Sequence, residues 1–345
     1  MSSPFAEKDG HSVPAEVPDV KSSAAPCRIA ACIDTSAMGR KVIAHAAAIA
    51  KALDAELTLI RVLETRGAGG MPPDPVEWEI RRREAWEAME RIVAEQGYSA
   101  QRVKAQVVEG QPAEQISLWV RDHDVDLTVL CTHGEDHATT ADLGQTVRSV
   151  LDHAAGSLLL VPHSVADAGV VTYRRILVPL DGSSRAESAV PLAVRLARAQ
   201  QGEVVLVHVV PIPELTEVGP PEAEALELRD LLVRRNERVA QEYLDRIRGQ
   251  VAGQGIAVRS LVLRGGDVRR RLARSIVDEA ADLVVLSSHG RSGHTDVPHG
   301  SIAAYQIAHP TTPLLIVRHQ PAESQRHTVP APTCTGLRLP DQASP

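Results

Sequence analysis

One plan runs through this chain twice, and that repeat constrains the fold more than any single residue does. RIAACIDTS from Arg28 returns as RILVPLDGSS from Arg175, and LTLIRVLE from Leu57 returns as VVLVHVVP from Val204, each 147 residues later. DLTVLCTHG from Asp126 returns as DLVVLSSHG from Asp282, now 156 residues later. Such spacing belongs to whole domains rather than to the short units of a solenoid, so two cores are expected within the 345 residues. The second copy carries nine more residues than the first. They are expected between Val209 and the third strand, in the polar helical stretch around residues 222–250.

Within the second copy, aliphatic and β-branched runs at 175–181, 203–209, 256–263, 282–287 and 313–317 read as five strands. Residues 184–199 between the first two show helical spacing, and Ser184 with Glu187 forms an S-x-x-E capping box. Continuous apolar strands separated by helices imply parallel pairing with both sheet faces covered, an open α/β sheet in each copy. The copies are placed at 27–163 and 174–319, joined by a linker at 164–173. Residues 1–26 and 320–345, rich in Pro, Ala, Ser and Thr without periodicity, read as disordered tails. The final strands of the two copies, SLLLV and PLLIV, carry no charge that would protect an edge. Their pairing side by side would make the chain an intrachain pseudo-dimer.

Composition removes several partners. Aromatic residues make up 2% of the chain, and 37 Lys and Arg against 44 Asp and Glu leave a net charge of −7. Both the stacking platforms and the cationic surplus that nucleic acid demands are therefore lacking. The arginine runs at 81–83 and 269–271 sit among acidic residues on helical stretches and read as solvated faces. Trp78 and Trp86, eight apart, read as core or interface anchors. No apolar segment approaches a membrane span or a secretory signal, which points to a cytoplasmic protein without a membrane partner. Cys27, Cys32, Cys131 and Cys334 form no CxxC pair, so neither a disulfide scaffold nor a thiolate metal site is indicated. His133 and His137, four apart after a strand, read as loop residues rather than metal ligands.

No GxxxxGK[ST], GxGxxG, GxSxG or HExxH motif is present. The informative segment follows the fourth strand of the second copy, where Ser287-Ser288-His289-Gly290 leads, after nine residues, to Gly300-Ser301 opening a helix. This spacing resembles the G-x2-G-x9-G-[ST] nucleotide loop of the universal stress protein family. The resemblance extends to the strand-end residues Asp34 and Asp181 and to the His208-Val209 pair. It implies a strand order of 3-2-1-4-5 in each copy, and hence a ligand crevice at the carboxyl ends of strands one and four, where the order reverses. By that resemblance Ser287, Gly290, Gly300, Ser301 and Ile302 would cradle phosphates and ribose, with His289 in the same loop. Val209 would meet adenine through its main chain, Pro179, Leu180 and Asp181 would line the nucleoside side, and Arg291 would supply one charge. Asp181 also fits a purely local role in the turn after its strand.

The first copy departs from the pattern. Cys131 and Gln145 replace the first glycine and the hydroxyl residue, although Gly134 and Gly144 keep their spacing. Glu135, Asp136 and Asp142 lie between those glycines, whereas Arg291 and Asp296 cancel in the second copy. One nucleotide per chain, held by the second copy, is therefore expected. The resemblance implies a stress-related sensor module for ATP or a related adenine nucleotide such as AMP, with Mg²⁺ able to arrive with the phosphates. No general base and nucleophile are positioned for efficient turnover. A ligand-free structural pseudo-dimer, a slow nucleotide hydrolase and a homodimer of whole chains stay open at this point.

Overall fold

The computed structural model describes residues 27–34, 37–65, 74–95, 103–133, 143–153, 156–166, 169–215, 220, 222–290 and 299–318. The first half runs β1 (Arg28–Cys32), α1 (Ala37–Leu53), β2 (Glu56–Leu63), α2 (Pro75–Glu95), β3 (Val103–Glu109), α3 (Pro112–Asp122), β4 (Leu127–Cys131), α4 (Gln145–His153) and β5 (Ser157–Val161). The second runs β6 (Arg175–Pro179), α5 (Ser184–Glu187), α6 (Val190–Gln200), β7 (Glu203–Pro211), α7 (Ala223–Val251), β8 (Ala257–Gly265), α8 (Val268–Asp278), β9 (Leu283–Ser287), α9 (Ser301–Ala308) and β10 (Leu314–Val317). The termini that the sequence marks as tails lie outside the described residues.

Each half is a parallel sheet in the order 3-2-1-4-5, and the two join into one sheet, β3-β2-β1-β4-β5-β10-β9-β6-β7-β8. The seam is the antiparallel pair β5·β10, with Leu158 opposite Ile316, Leu159 opposite Leu315 and Leu160 opposite Leu314. The strand runs are apolar on both faces because both are covered. Ile29 and Ala31 belong to one core with residues of α1, α2, α6 and α7, while Ala30 belongs to a second with residues of α3, α4, α8 and α9. Among the described residues no helix is long and apolar enough to cross a membrane.

Three local expectations change. α7 is 29 residues against 21 for α2, which accounts for eight of the nine extra residues. The ninth is in the next turn. Glu109 pairs with Leu63 and Arg264 with Val210, yet four steps separate Arg264 from α8 where three separate Glu109 from α3. The residue added is Gly266, beside Asp267, whose carboxylate caps α8. Second, the cap after β6 is Ser183 rather than Ser184: its Oγ accepts from the Ala186 N–H at 3.1 Å. Glu187, freed from a capping box, pairs with Arg246 at 2.9 Å. Third, Trp86 is 38% exposed and Trp78 is half-buried, with Arg81 over its ring, so of the core and interface readings the core one falls for both. The arginine runs do sit on solvated faces, Arg82 beside Glu79 and Arg269 beside Asp267.

Tyr173, at the end of the expected linker, is fully buried. Its hydroxyl lies 2.7 Å from His45 Nδ1 on α1, and its backbone N–H donates to Gln200 Oε1 on α6. Gln200 in turn donates to the Ala48 carbonyl of the first half at 3.3 Å. The two halves are thus tied by a polar contact between α1 and α6 as well as by the seam.

Candidate functional site

Unequal strand ends open the site. β6 stops at Pro179 while β7 continues to Pro211, and on its other side β9 stops at Ser287. The chain leaves β6 toward β7 on one side, and β9 flanks it on the other, so β6 is where the order reverses and a crevice forms. The crevice holds a cavity of ≈ 300 Å³, at the lower end of the range for small-molecule sites. Pro179, Leu180, Asp181, Val209, Ser287, His289, Gly290, Gly300, Ser301 and Ile302 all line it. Arg291 lies outside the described residues, as do His294 and Asp296. Val268 and Leu272, one turn apart on α8, form an apolar wall with Leu286. Their spacing in the sequence is the same as that of core residues, and nothing in it marks them as site residues.

Asp181 acts locally and at the cavity together. One carboxylate oxygen, Oδ1, accepts from the Ser183 N–H at 3.0 Å and from the Ser183 hydroxyl at 2.6 Å, closing a turn that Gly182 enters with φ of 85°. The other, Oδ2, lies against Gly290 so closely that a Cβ there would overlap it. Gly300 differs: a Cβ on it would meet its nearest neighbours at 3.5 and 3.6 Å, ordinary contact, and its φ of −66° suits any residue. The fold therefore does not need a glycine at 300, and the space over it belongs to the cavity.

Backbone groups supply the polar chemistry. The Gly300 N–H donates to the Ser288 carbonyl at 2.8 Å and the Gly300 carbonyl accepts from Ala304, so the N–H groups of Ser301, Ile302 and Ala303 have no partner among the described residues. Three free donors and the positive end of the helix dipole form an anion-binding start. Val209 offers a second set. The Val207 carbonyl accepts from the Leu180 N–H at 2.8 Å, and two residues on, the Val209 N–H and C=O leave the same edge of β7 beyond the end of β6. That pairing of one donor and one acceptor suits the edge of a base. Among the described lining residues Asp181 is the one carboxylate, and Lys and Arg are absent.

The first half has an equivalent cavity of ≈ 360 Å³ with a different lining. Asp34 and Glu64 both face it, and Cys131 and Gln145 stand where the second half has Ser287 and Ser301. Gly134, Glu135, Asp136, Asp142 and His137 lie outside the described residues. Burial pushes the Cys32 thiol up to about 12 and raises Cys131 as well, which keeps both thiols protonated and unreactive. His299, half-buried at the start of α9, is pushed down to about 4 by burial and then by Arg318. No group of three His, Cys, Asp or Glu side chains that could hold a metal ion occurs among the described residues.

Comparison with known proteins agrees with the two-copy plan. The model of the universal stress protein family matches residues 27–162 and again 172–318. A universal stress protein of Mycolicibacterium smegmatis is 26% identical over 300 residues, covering 83% of this chain and 95% of its own. A single-copy relative from Methanocaldococcus jannaschii is 28% identical over 45% of this chain and 88% of its own. Among solved structures, a universal stress protein of Archaeoglobus fulgidus shares the fold over 85% of this chain and 96% of its own, with a TM-score of 0.57 and 18% identity. With its family model matched once in each half, this chain belongs to the universal stress protein family as a tandem member.

Proposed function

We propose that the second half binds an adenine nucleotide, ATP or a close relative, and that occupancy of this site makes the chain a stress-related regulatory module. The observation that carries the reading is the cavity at the switch point, where free N–H groups of α9, the vacant side of Gly300 and the Asp181 carboxylate converge. In this reading the base lies against Val268, Leu272 and Leu286 and meets the main chain of Val209. The ribose hydroxyls face Asp181, and the phosphates run to Ser301 and Ile302. A divalent ion would arrive with the phosphates, since Asp181 is the one carboxylate among the described lining residues.

The first half is proposed not to bind nucleotide. Asp34 and Glu64 both line its cavity, and two carboxylates oppose a polyanion where the second half presents one. The paired halves, joined through β5 and β10, are proposed as the working unit. Isothermal titration of the purified chain with ATP, ADP, AMP and cyclic AMP tests the assignment. One site per chain is expected, lost in Gly300→Val and retained in Gly144→Val. Two equivalent sites, or loss with Gly144→Val alone, would overturn it.

A further inference from the structure

α7 exposes a face that nothing in the described chain covers. α7 buries Val233, Ala240, Leu244 and Ile247 against the sheet. On its outer side Leu228 is 68% exposed, Leu231 66%, Leu232 40% and Val239 54%. Four clustered large aliphatics on one helix face are an interaction surface rather than scattered exposure. The charges along the same face are segregated: Glu224 and Glu227 occupy the first two turns, and Arg234, Arg235 and Arg238 the next. All five are exposed, and among the described residues none makes a side-chain hydrogen bond or a close ion pair, Arg234 feeling only the longer-range charge of Glu237.

We infer that this face pairs with its own copy on a second chain, the two α7 helices lying antiparallel about a two-fold axis near Leu231. In that arrangement Leu228 of each chain meets Leu232 of the other, and Leu231 packs near the axis. The acidic first turns of each helix lie along the basic stretch of its partner, Glu227 toward Arg234 and Glu224 toward Arg235 and Arg238. A parallel pairing would set like charges together, so charge selects the direction as well as the partner. The segment from Glu224 to Arg238 spans about 20 Å at 1.5 Å per residue. An interface of that length is at the small end of specific contacts, so the dimer forms in a concentration-dependent way. Self-matching patches on both partners are what a closed two-fold dimer requires. This contact is separate from the nucleotide cavity and from the β5·β10 seam.

Sedimentation velocity on the full chain from about 1 to about 100 μM tests the pairing. A shift from one to two chains is expected, weakened by added salt because the flanking charges are exposed. Leu231→Glu is expected to weaken the dimer tenfold or more. Reversing either charge block alone, Glu224→Arg with Glu227→Arg or Arg235→Glu with Arg238→Glu, is expected to weaken it as well. Reversing both blocks restores it. These positions are solvent-facing, so circular dichroism should be unchanged in every variant. A single-chain mass at all concentrations would overturn the proposal, whether another partner or the chain's own tail covers the face. So would a dimer that Leu231→Glu and both block reversals leave intact.

Discussion

Gly290 and Gly300 look alike in the sequence, yet the structure separates their roles. Gly290 has no side chain because the Asp181 carboxylate occupies that space, whereas Gly300 has room for one that the fold leaves unused. Gly300→Val should therefore cost no more than about 1 kcal/mol of thermal stability, what an apolar residue in place of glycine at a helix N-cap forfeits, while weakening nucleotide binding tenfold or more, about 1.4 kcal/mol. Calorimetry alongside a melting curve checks both halves of that statement. Gly290→Ala should cost about 1 kcal/mol or more by overpacking, because Asp181 must leave its turn, and binding should fall with it. Equal stability losses at both positions would mean that the fold, and not a ligand, requires the second glycine. The spacing of these glycines was legible from residue order alone. Their different reasons were not, since one depends on a carboxylate 109 positions earlier in the chain.

At the scale of elements, the strands announced themselves because every central strand is apolar on both faces, and β4, β5, β9 and β10 are each nearly continuous buried runs. Helix starts were harder to place. Ser183 and Ser184 are both good cap residues, and a downstream Glu favoured the second, but the side chain of Asp181 reaches Ser183 and settles the cap one residue earlier. Ser183→Ala should cost about 1 kcal/mol through the lost cap. It should also weaken nucleotide binding, because Asp181 loses the hydroxyl donor that orients it; urea unfolding and calorimetry on the same variant would separate the two effects. One of the nine inserted residues was misplaced for a related reason. Eight of them continue a helix whose polar face gives no internal marker, and the ninth, Gly266, only makes room for the Asp267 cap. The apolar wall of Val268 and Leu272 was illegible because a pocket lining and a core face have one and the same helical period.

For the whole molecule, the two halves depend on each other through buried groups that single-copy reasoning does not reveal. His45 is 4% exposed and bonded to Tyr173, and burial, then the nearby Lys41 charge, pushes it down to about 4 from its usual 6.5. The folded chain therefore keeps His45 neutral where the unfolded chain binds a proton. Its contribution to stability is complete above pH 6.5 and is lost as pH falls from 6.5 toward 4. From pH 7 to pH 5 this one group should remove about 2 kcal/mol; His299, also pushed down to about 4, adds a loss in the same window, so urea titrations at the two pH values should show the drop shrink by about 2 kcal/mol in His45→Phe without vanishing. The β5·β10 seam carries a stronger consequence. In the intact chain Leu314 to Val317 are covered on one side by β9 and on the other by β5. Residues 172–318 alone would present β10 as an open, uncharged, fully apolar edge, and such edges recruit another strand. A second copy supplies the same strand that β5 replaced. With Leu231→Glu in place to remove pairing through α7, the isolated half should therefore still be a dimer by light scattering, and fusing residues 27–162 back in front of it should return the species to one chain. A stable monomer of the half would mean that the seam is an incidental contact and that the two-copy chain has some other reason to exist.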